Sequence, residues 1–196
     1  AVQEGMVPAG QHTLFRFTTA TVNRGRGALA VPDFASNPDF FEWSDCHRHY
    51  HFKGYMAYRL WTPEGYKAWQ SLRRGSKLSS EELLAAHPEV AFVAGRKQGF
   101  CIVDYEPYYH GQPLENTLDP RWDYLWDTQV YAGCEYPYSG LSPSWADVYF
   151  PHVAGQWVVV DGLHGTFVLE NEVNANRMFA ESSFRNNSAA VEITIP

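Results

Sequence analysis

The stretch Cys46-His47-Arg48-His49-Tyr50-His51 places three imidazoles at alternate positions. In an extended chain alternate side chains share a face, so His47, His49 and His51 are expected to stand in a row, with Arg48 and Tyr50 turned the other way. The outer members of such a row on a flat strand lie about 13 Å apart at the backbone. Convergence on one ion therefore requires the segment to twist or bend. Neutral imidazole suits Cu(II), Zn(II) and Ni(II), and no thiolate-rich or carboxylate-rich run competes nearby. The Irving–Williams order makes Cu(II) the expected ion, with Zn(II) the alternative. Two other metal motifs are excluded. A cupin-type pair wants a Glu shortly downstream, and Phe52-Lys53-Gly54-Tyr55-Met56 has none. The His-Glu-x-x-His helix of zincins is absent.

Elements able to carry such a row are legible around it. Leu14 to Asn23 is rich in aromatic and β-branched residues and reads as a strand running into a turn at Asn23-Arg24-Gly25. His47 to Leu60, Gly99 to Tyr105, Gln156 to Val160, Thr166 to Glu170 and Ala189 to Ile195 also read as strands. Between Pro63 and Glu89 the pattern changes. Tyr66 to Arg73 reads as a short helix, and Ser79 with Glu82 offers a capping box before Leu83-Leu84-Ala85-Ala86, stopped by Pro88. Glu106 to Tyr131 is expected to be a long aromatic loop. The expected fold is all-β, an antiparallel, Ig-like β-sandwich with long loops and one or two short helices near 63–89. No linker or repeat divides residues 1–196, which read as a single domain.

Composition limits the function classes. Of 196 residues, 45% are hydrophobic and 16% aromatic, enough for a core rich in strands. A net charge of −7 leaves no basic stripe for phosphates, so nucleic acid is not expected as a partner. No run approaches the roughly 20 apolar residues of a membrane helix. The sequence begins Ala1-Val2-Gln3 without an apolar leader, as expected if any signal peptide has been removed. Three cysteines, Cys46, Cys101 and Cys134, allow one disulfide and one thiol.

These residues resemble the catalytic domain of the lysyl oxidase family. Trp43-Ser44-Asp45-Cys46-His47-Arg48-His49-Tyr50-His51 is similar to that family's Trp-x-x-Cys-His-x-His-Tyr-His copper motif. Gly95-Arg96-Lys97-Gln98-Gly99-Phe100-Cys101 is similar to its Gly-His-Lys-Ala-Ser-Phe-Cys. Gly140-Leu141-Ser142-Pro143, Asp147-Val148-Tyr149 and Gln156-Trp157 follow with the family's spacing, then Val173-Asn174, Glu181-Ser182 and Asn186-Asn187. The resemblance implies a copper-dependent amine oxidase that acts with O₂ on a primary amine or a lysine-containing protein. His47, His49 and His51 would be the copper(II) ligands. Lys97 and Tyr149 would be the precursors of lysyl tyrosylquinone, and Asp147 would be the catalytic base. It also implies a Cys46–Cys134 disulfide, an unpaired Cys101, and a secreted or extracytoplasmic location, at the cell surface or in the periplasm. Arg96 replaces the family's His before the lysine, and Trp145 and Gly155 stand where a further disulfide would be. These departures, with the longer span from Pro63 to Glu89, point to a microbial or otherwise divergent member. Two other readings are a copper- or zinc-binding protein without a quinone and a structural β-protein whose histidines bind nothing.

Overall fold

A computed structural model describes residues 7–25, 27–45, 47–108 and 129–196, with Lys97 described through its backbone alone. The chain divides into two compact units, each assembled from separated segments. The first comprises Ala1–Phe17, Gly54–Gln98 and Pro151–Pro196. The second comprises Thr18–Lys53 and Gly99–Phe150. Twelve strands and two short α-helices lie among the described residues, and every strand pairing with a described register is antiparallel. The all-β class expected from the sequence is the class observed.

In the first unit, β1 (Leu14–Arg16) pairs with β10 (Trp157–Val159). The long strand β5 (His49–Trp61) contributes its Gly54–Trp61 part to this unit, where Met56–Trp61 pairs with β11 (Gly165–Val173). In turn β11 pairs with β12 (Ser188–Ile195). Against this sheet lie α1 (Pro63–Arg73) and α2 (Ser80–Ala86). Helix α1 begins one turn earlier than the sequence suggests. Pro63 supplies the fixed φ of a first helical position, and the Thr62 side chain accepts the Gly65 N–H as N-cap. Helix α2 has the expected capping box, with Ser79 Oγ accepting from Glu82 N and Glu82 accepting from Ser79 N. Trp61 stacks on Trp69 at 5.4 Å between ring centroids, and Leu83 completes this core.

Beside those indoles is a buried ionic cluster that the sequence does not announce. Arg59, 2% exposed, donates to Glu172 at 2.6 Å and lies 3.4 Å from Glu170. Arg73 reaches both carboxylates, at 2.8 and 2.7 Å. The indole N–H groups of Trp61 and Trp69 donate to Glu170, and Ser80 Oγ donates to Glu172. Burial alone would lower the pKa of Arg59. Glu172 and Glu170 overcome that effect and raise it.

The second unit carries the histidines. There β4 (Phe41–Ser44) pairs with the His49–Phe52 part of β5. Strand β9 (Trp145–Tyr149) lies between β2 (Thr19–Val22) and β7 (Glu106–Pro107), and β3 (Leu29–Ala30) pairs with β8 (Gly140–Leu141). The strand expected over Leu14 to Asn23 is thus two strands. It breaks at Phe17–Thr18 because its halves take different partners, β10 and β9. The strand expected over Gly99 to Tyr105 lies earlier, as β6 (Ala94–Phe100), which pairs with β5. After Phe100 the chain turns its hydrogen bonds elsewhere. Ile102 O accepts Gly140 N and Ser139 Oγ, and Asp104 N donates to Tyr131 O. The Glu106–Tyr131 loop lies largely outside the described residues.

Candidate metal centre

The three histidines converge because the chain bends between the first and the second. Arg48 has φ 58°, a left-handed conformation rare for a side chain of its kind. Its N–H donates to Ser44 O at 2.7 Å, and His47 N donates to the Ser44 side chain at 3.2 Å. His47 therefore sits in the turn that joins β4 to β5. It is not on the strand, and the expected straight row of three does not form. His47 Nδ1 lies 3.1 Å from His51 Nε2, which lies 3.2 Å from His49 Nε2. All three ligand atoms fall within 4.8 Å of one another.

These separations can be tested against an ion. Imidazole nitrogens at about 2.0–2.1 Å from one metal lie roughly 2.9–3.4 Å apart for angles between square and tetrahedral. The contacts of 3.1 and 3.2 Å fall inside that span. Burial, followed by the charge of His47, lowers the pKa of His49, with Glu135 acting in the opposite sense. Both leading causes favour the neutral imidazole that a metal needs. Behind the cluster, Gly99 is required by space. A Cβ there would lie 2.5 Å from Glu42 Oε1 and 3.0 Å from Phe52 O.

From His51 a ladder of rings leads to the tyrosine. The Phe100 ring lies 6.5 Å from that of His51 and 4.0 Å from that of Tyr149. Tyr149 O–H donates to the Cys101 carbonyl. Lys97 lies three residues before Phe100 on β6, and its side chain is outside the described residues. Asp147 is two residues before Tyr149 on β9 and so shares its face. It is 1% exposed, accepts from Val103 N–H, and leaves Oδ2 with no hydrogen-bond partner among the described residues. Burial, with a lesser contribution from the Asp104 charge, raises its pKa well above the usual carboxylate value. Thr21, its cross-strand partner, has a similarly unmatched Oγ1.

Asp104 is a residue that sequence reasoning missed. Its buried carboxylate accepts from Ser142 N at 2.6 Å, Ser142 Oγ at 2.7 Å, and the Val130 and Tyr131 N–H groups at 3.1 Å. The Gly140-Leu141-Ser142-Pro143 motif thus supplies a side chain that fixes Asp104. The one available signal was an acidic residue between the apolar Ile102-Val103 and Tyr105, a place where a carboxylate needs partners.

The cysteine expectation is corrected. Cys101 pairs with Cys134, at a Cα separation of 5.1 Å. One sulfur forms one such bond, so Cys134 is not available to Cys46, and Cys101 is not a free thiol. The pairing follows from the bonds that lay 101–104 beside 131–140. Closing this 33-residue separation contributes at most about 4 kcal/mol on the chain-entropy argument. Cys46 itself lies outside the described residues.

A cleft of about 400 Å³ opens beside His49, lined among others by Arg48, Cys134, Glu135 and Tyr138. It brings one cation, one carboxylate and an exposed aromatic ring to the mouth of the centre.

A lysyl oxidase family model matches residues 125–195, a segment that includes Asp147 and Tyr149. Lysyl oxidase homolog 3 of Homo sapiens is 24% identical over 183 residues, covering 92% of this chain and 19% of that protein. Lysyl oxidase homolog 4 of Homo sapiens is 27% identical over 184 residues, covering 92% of this chain and 18% of that protein. This chain is therefore similar, at low identity, to the lysyl oxidases. It spans about a fifth of the length of the curated relatives it matches.

Within that relationship, the motif residues far from the histidines have structural work. Asn174, at φ 51°, donates to Phe179 O and Glu181 and accepts from Phe179 N. Asn187 donates to the same Glu181 oxygen and to Val173 O, which closes the loop between β11 and β12. Gln156 accepts the Tyr58 hydroxyl at 2.8 Å. Arg96, the departure from the family's His, stacks over Trp157 at 4.2 Å and donates to Gln98. Burial lowers its pKa, and its Nε and Nη1 have no hydrogen-bond partner among the described residues.

Proposed function

We propose that this chain is a copper-dependent amine oxidase. It would convert a primary amine, O₂ and water to an aldehyde, hydrogen peroxide and ammonia. The observation that carries this reading is the convergence of His47, His49 and His51 with Tyr149 one ring beyond His51. Copper(II) held by the three histidines would promote oxidation of the Tyr149 ring, and the lysyl tyrosylquinone formed with Lys97 would accept the amine's electrons.

The protein's own groups account for the rest. Phe100 packs one face of Tyr149, and the Cys101 carbonyl holds its hydroxyl, so the ring has a fixed orientation. Asp147 Oδ2 has no competing donor among the described residues and is the group to take the proton from the carbon that bears the nitrogen. Its raised pKa makes it a stronger base once ionised, at the cost of a larger neutral fraction near neutral pH. Glu135 and Tyr138 give a cationic amine favourable contacts at the cleft mouth, by charge and by ring face. The substrate class is a primary amine, either small or on a lysine side chain. The whole of 1–196 is read as one catalytic domain. A disulfide among the described residues favours a secreted or extracytoplasmic setting, and no described helix is long and apolar enough to cross a membrane.

Copper-loaded protein is expected to give a coloured adduct with phenylhydrazine and amine-dependent peroxide. Both signals should vanish in Lys97→Ala and Tyr149→Phe. Retention of either signal in both variants would overturn the quinone assignment. A second reading is a copper- or zinc-binding protein without a quinone. It is favoured by the donor set, since three imidazoles at these spacings suit Zn(II) as well as Cu(II). Intact mass separates the two readings, because only the oxidase joins the Lys97 and Tyr149 peptides.

A further inference from the structure

The Cys101–Cys134 disulfide lies against the histidine cluster. The two sulfurs and a ring nitrogen of His49 all fall within 4.8 Å of one another. The S–S bond brings the sulfurs together, but it does not explain the nearness of His49. That comes from the β4–β5 hairpin, which delivers His49 to the cleft that Cys134 also lines. Cys134 and His49 are both half-buried, so a small reagent entering the cleft can reach them, while Cys101 lies deeper at 7% exposed.

We propose that Cys101, Cys134 and His49 form a second metal site, available only when the disulfide is reduced, that takes a soft monovalent ion, Cu(I). The opening step is ordinary thiol–disulfide exchange. A dithiol supplies two electrons and two protons, leaves as its own disulfide, and converts Cys101 and Cys134 to two thiols. The ion then displaces the thiol protons to water and gains two thiolates and one imidazole. Two soft sulfurs and one nitrogen select Cu(I) over Cu(II), whereas three imidazoles accommodate Cu(II). His49 belongs to both sets, so the two sites share one imidazole. The oxidation state of one disulfide therefore decides whether this face of the second unit can hold Cu(I). Such a site would form whether or not the chain oxidises amines.

The test uses the full chain carrying Cys46→Ser, which removes the third thiol. The metal-free protein is reduced with a dithiol, and the reductant is removed under anaerobic conditions. On adding Co(II), the reduced chain is expected to show thiolate-to-metal charge-transfer absorption in the near ultraviolet, and the oxidised chain none. In competition with a Cu(I)-specific chelator, the reduced chain should hold Cu(I) more tightly than the oxidised chain, by roughly tenfold or more. Adding His49→Ala to the same background should reduce that advantage and alter the cobalt spectrum. Three outcomes overturn the proposal. One is a reduced chain without thiolate absorption. The second is an identical spectrum and affinity with and without His49, which would mean that the thiols bind alone. The third is a reduced chain whose near-ultraviolet circular dichroism collapses and does not return with metal, which would mean that the site does not exist as a folded feature.

Discussion

Glu170 and Asp147 are both carboxylates in β-strands, at 0% and 1% exposure, and they are treated in opposite ways. Glu170 receives two indole N–H groups and two guanidinium groups, one of each on either oxygen. Among the described residues, Asp147 receives one backbone N–H, has a negative neighbour in Asp104, and keeps an oxygen unmatched. A buried carboxylate that is fully paired is committed to holding structure, because any further partner must displace one it already has. A buried carboxylate left short of partners is ready to hold a proton. The first kind belongs to the unit with the helices, and the second to the unit with the histidines.

The two carboxylates should differ most at the chemical end. Asp147→Asn should lower the rate of amine oxidation by about 10²–10⁴-fold while copper binding persists, as read from peroxide release and metal analysis. A variant that turns over like wild type would remove Asp147 from the reaction. At the other end, Glu170→Ala leaves the two indole N–H groups without their acceptor and takes one of two shared carboxylates from the buried Arg59 and Arg73. It should cost about 3–5 kcal/mol in urea unfolding. A loss much below that would mean that water replaces the carboxylate easily and the cluster is less closed than its distances indicate.

Acidity separates the two carboxylates further. The folded-state pKa of Asp147 is raised, so the fold favours its neutral form. That contribution to stability is complete below the ordinary carboxylate value of about 3.9 and is lost as pH rises through the raised folded value. Asp147→Asn should therefore gain stability over wild type as pH rises across that window, whereas wild-type oxidation rate climbs over the same range as the base ionises. Thermal unfolding and initial rates measured as a function of pH test both slopes. If the two chains keep a constant stability difference across pH, Asp147 is not the titrating group. The smallest expected effect lies far from either carboxylate. Ser79→Ala removes the side-chain half of the α2 capping box and should cost about 1 kcal/mol without changing oxidation.

What the sequence disclosed was whatever depends on local rules. Ser79 and Glu82 marked a helix start because their offset alone makes the reciprocal bonds possible, and Pro88 marked the stop. The β-branched and apolar runs Thr166 to Glu170 and Ala189 to Ile195 located β11 and β12. The histidine triplet was visible as donors at short spacing. Other features depend on partners distant in the chain, and those were hidden. Arg59 on a strand gives no sign that Glu81, Glu170 and Glu172 will surround it. Phe100 ends β6, and the next residues pair with 131–140, a choice settled between segments far apart. Three cysteines allow three pairings, and resemblance favoured one that the fold does not make. The bend at Arg48 was invisible for another reason. Left-handed backbone is usually announced by Gly or Asn, and here an Arg adopts it.

That bend has a bearing on where the candidate metal site resides. All three donors, the turn that gathers them and the Ser44 bonds that brace the turn belong to one hairpin, β4 and the start of β5. The candidate site is self-contained. A host protein with an antiparallel pair of matching register could receive it as a single cassette, and an ancestor could have acquired it in one step.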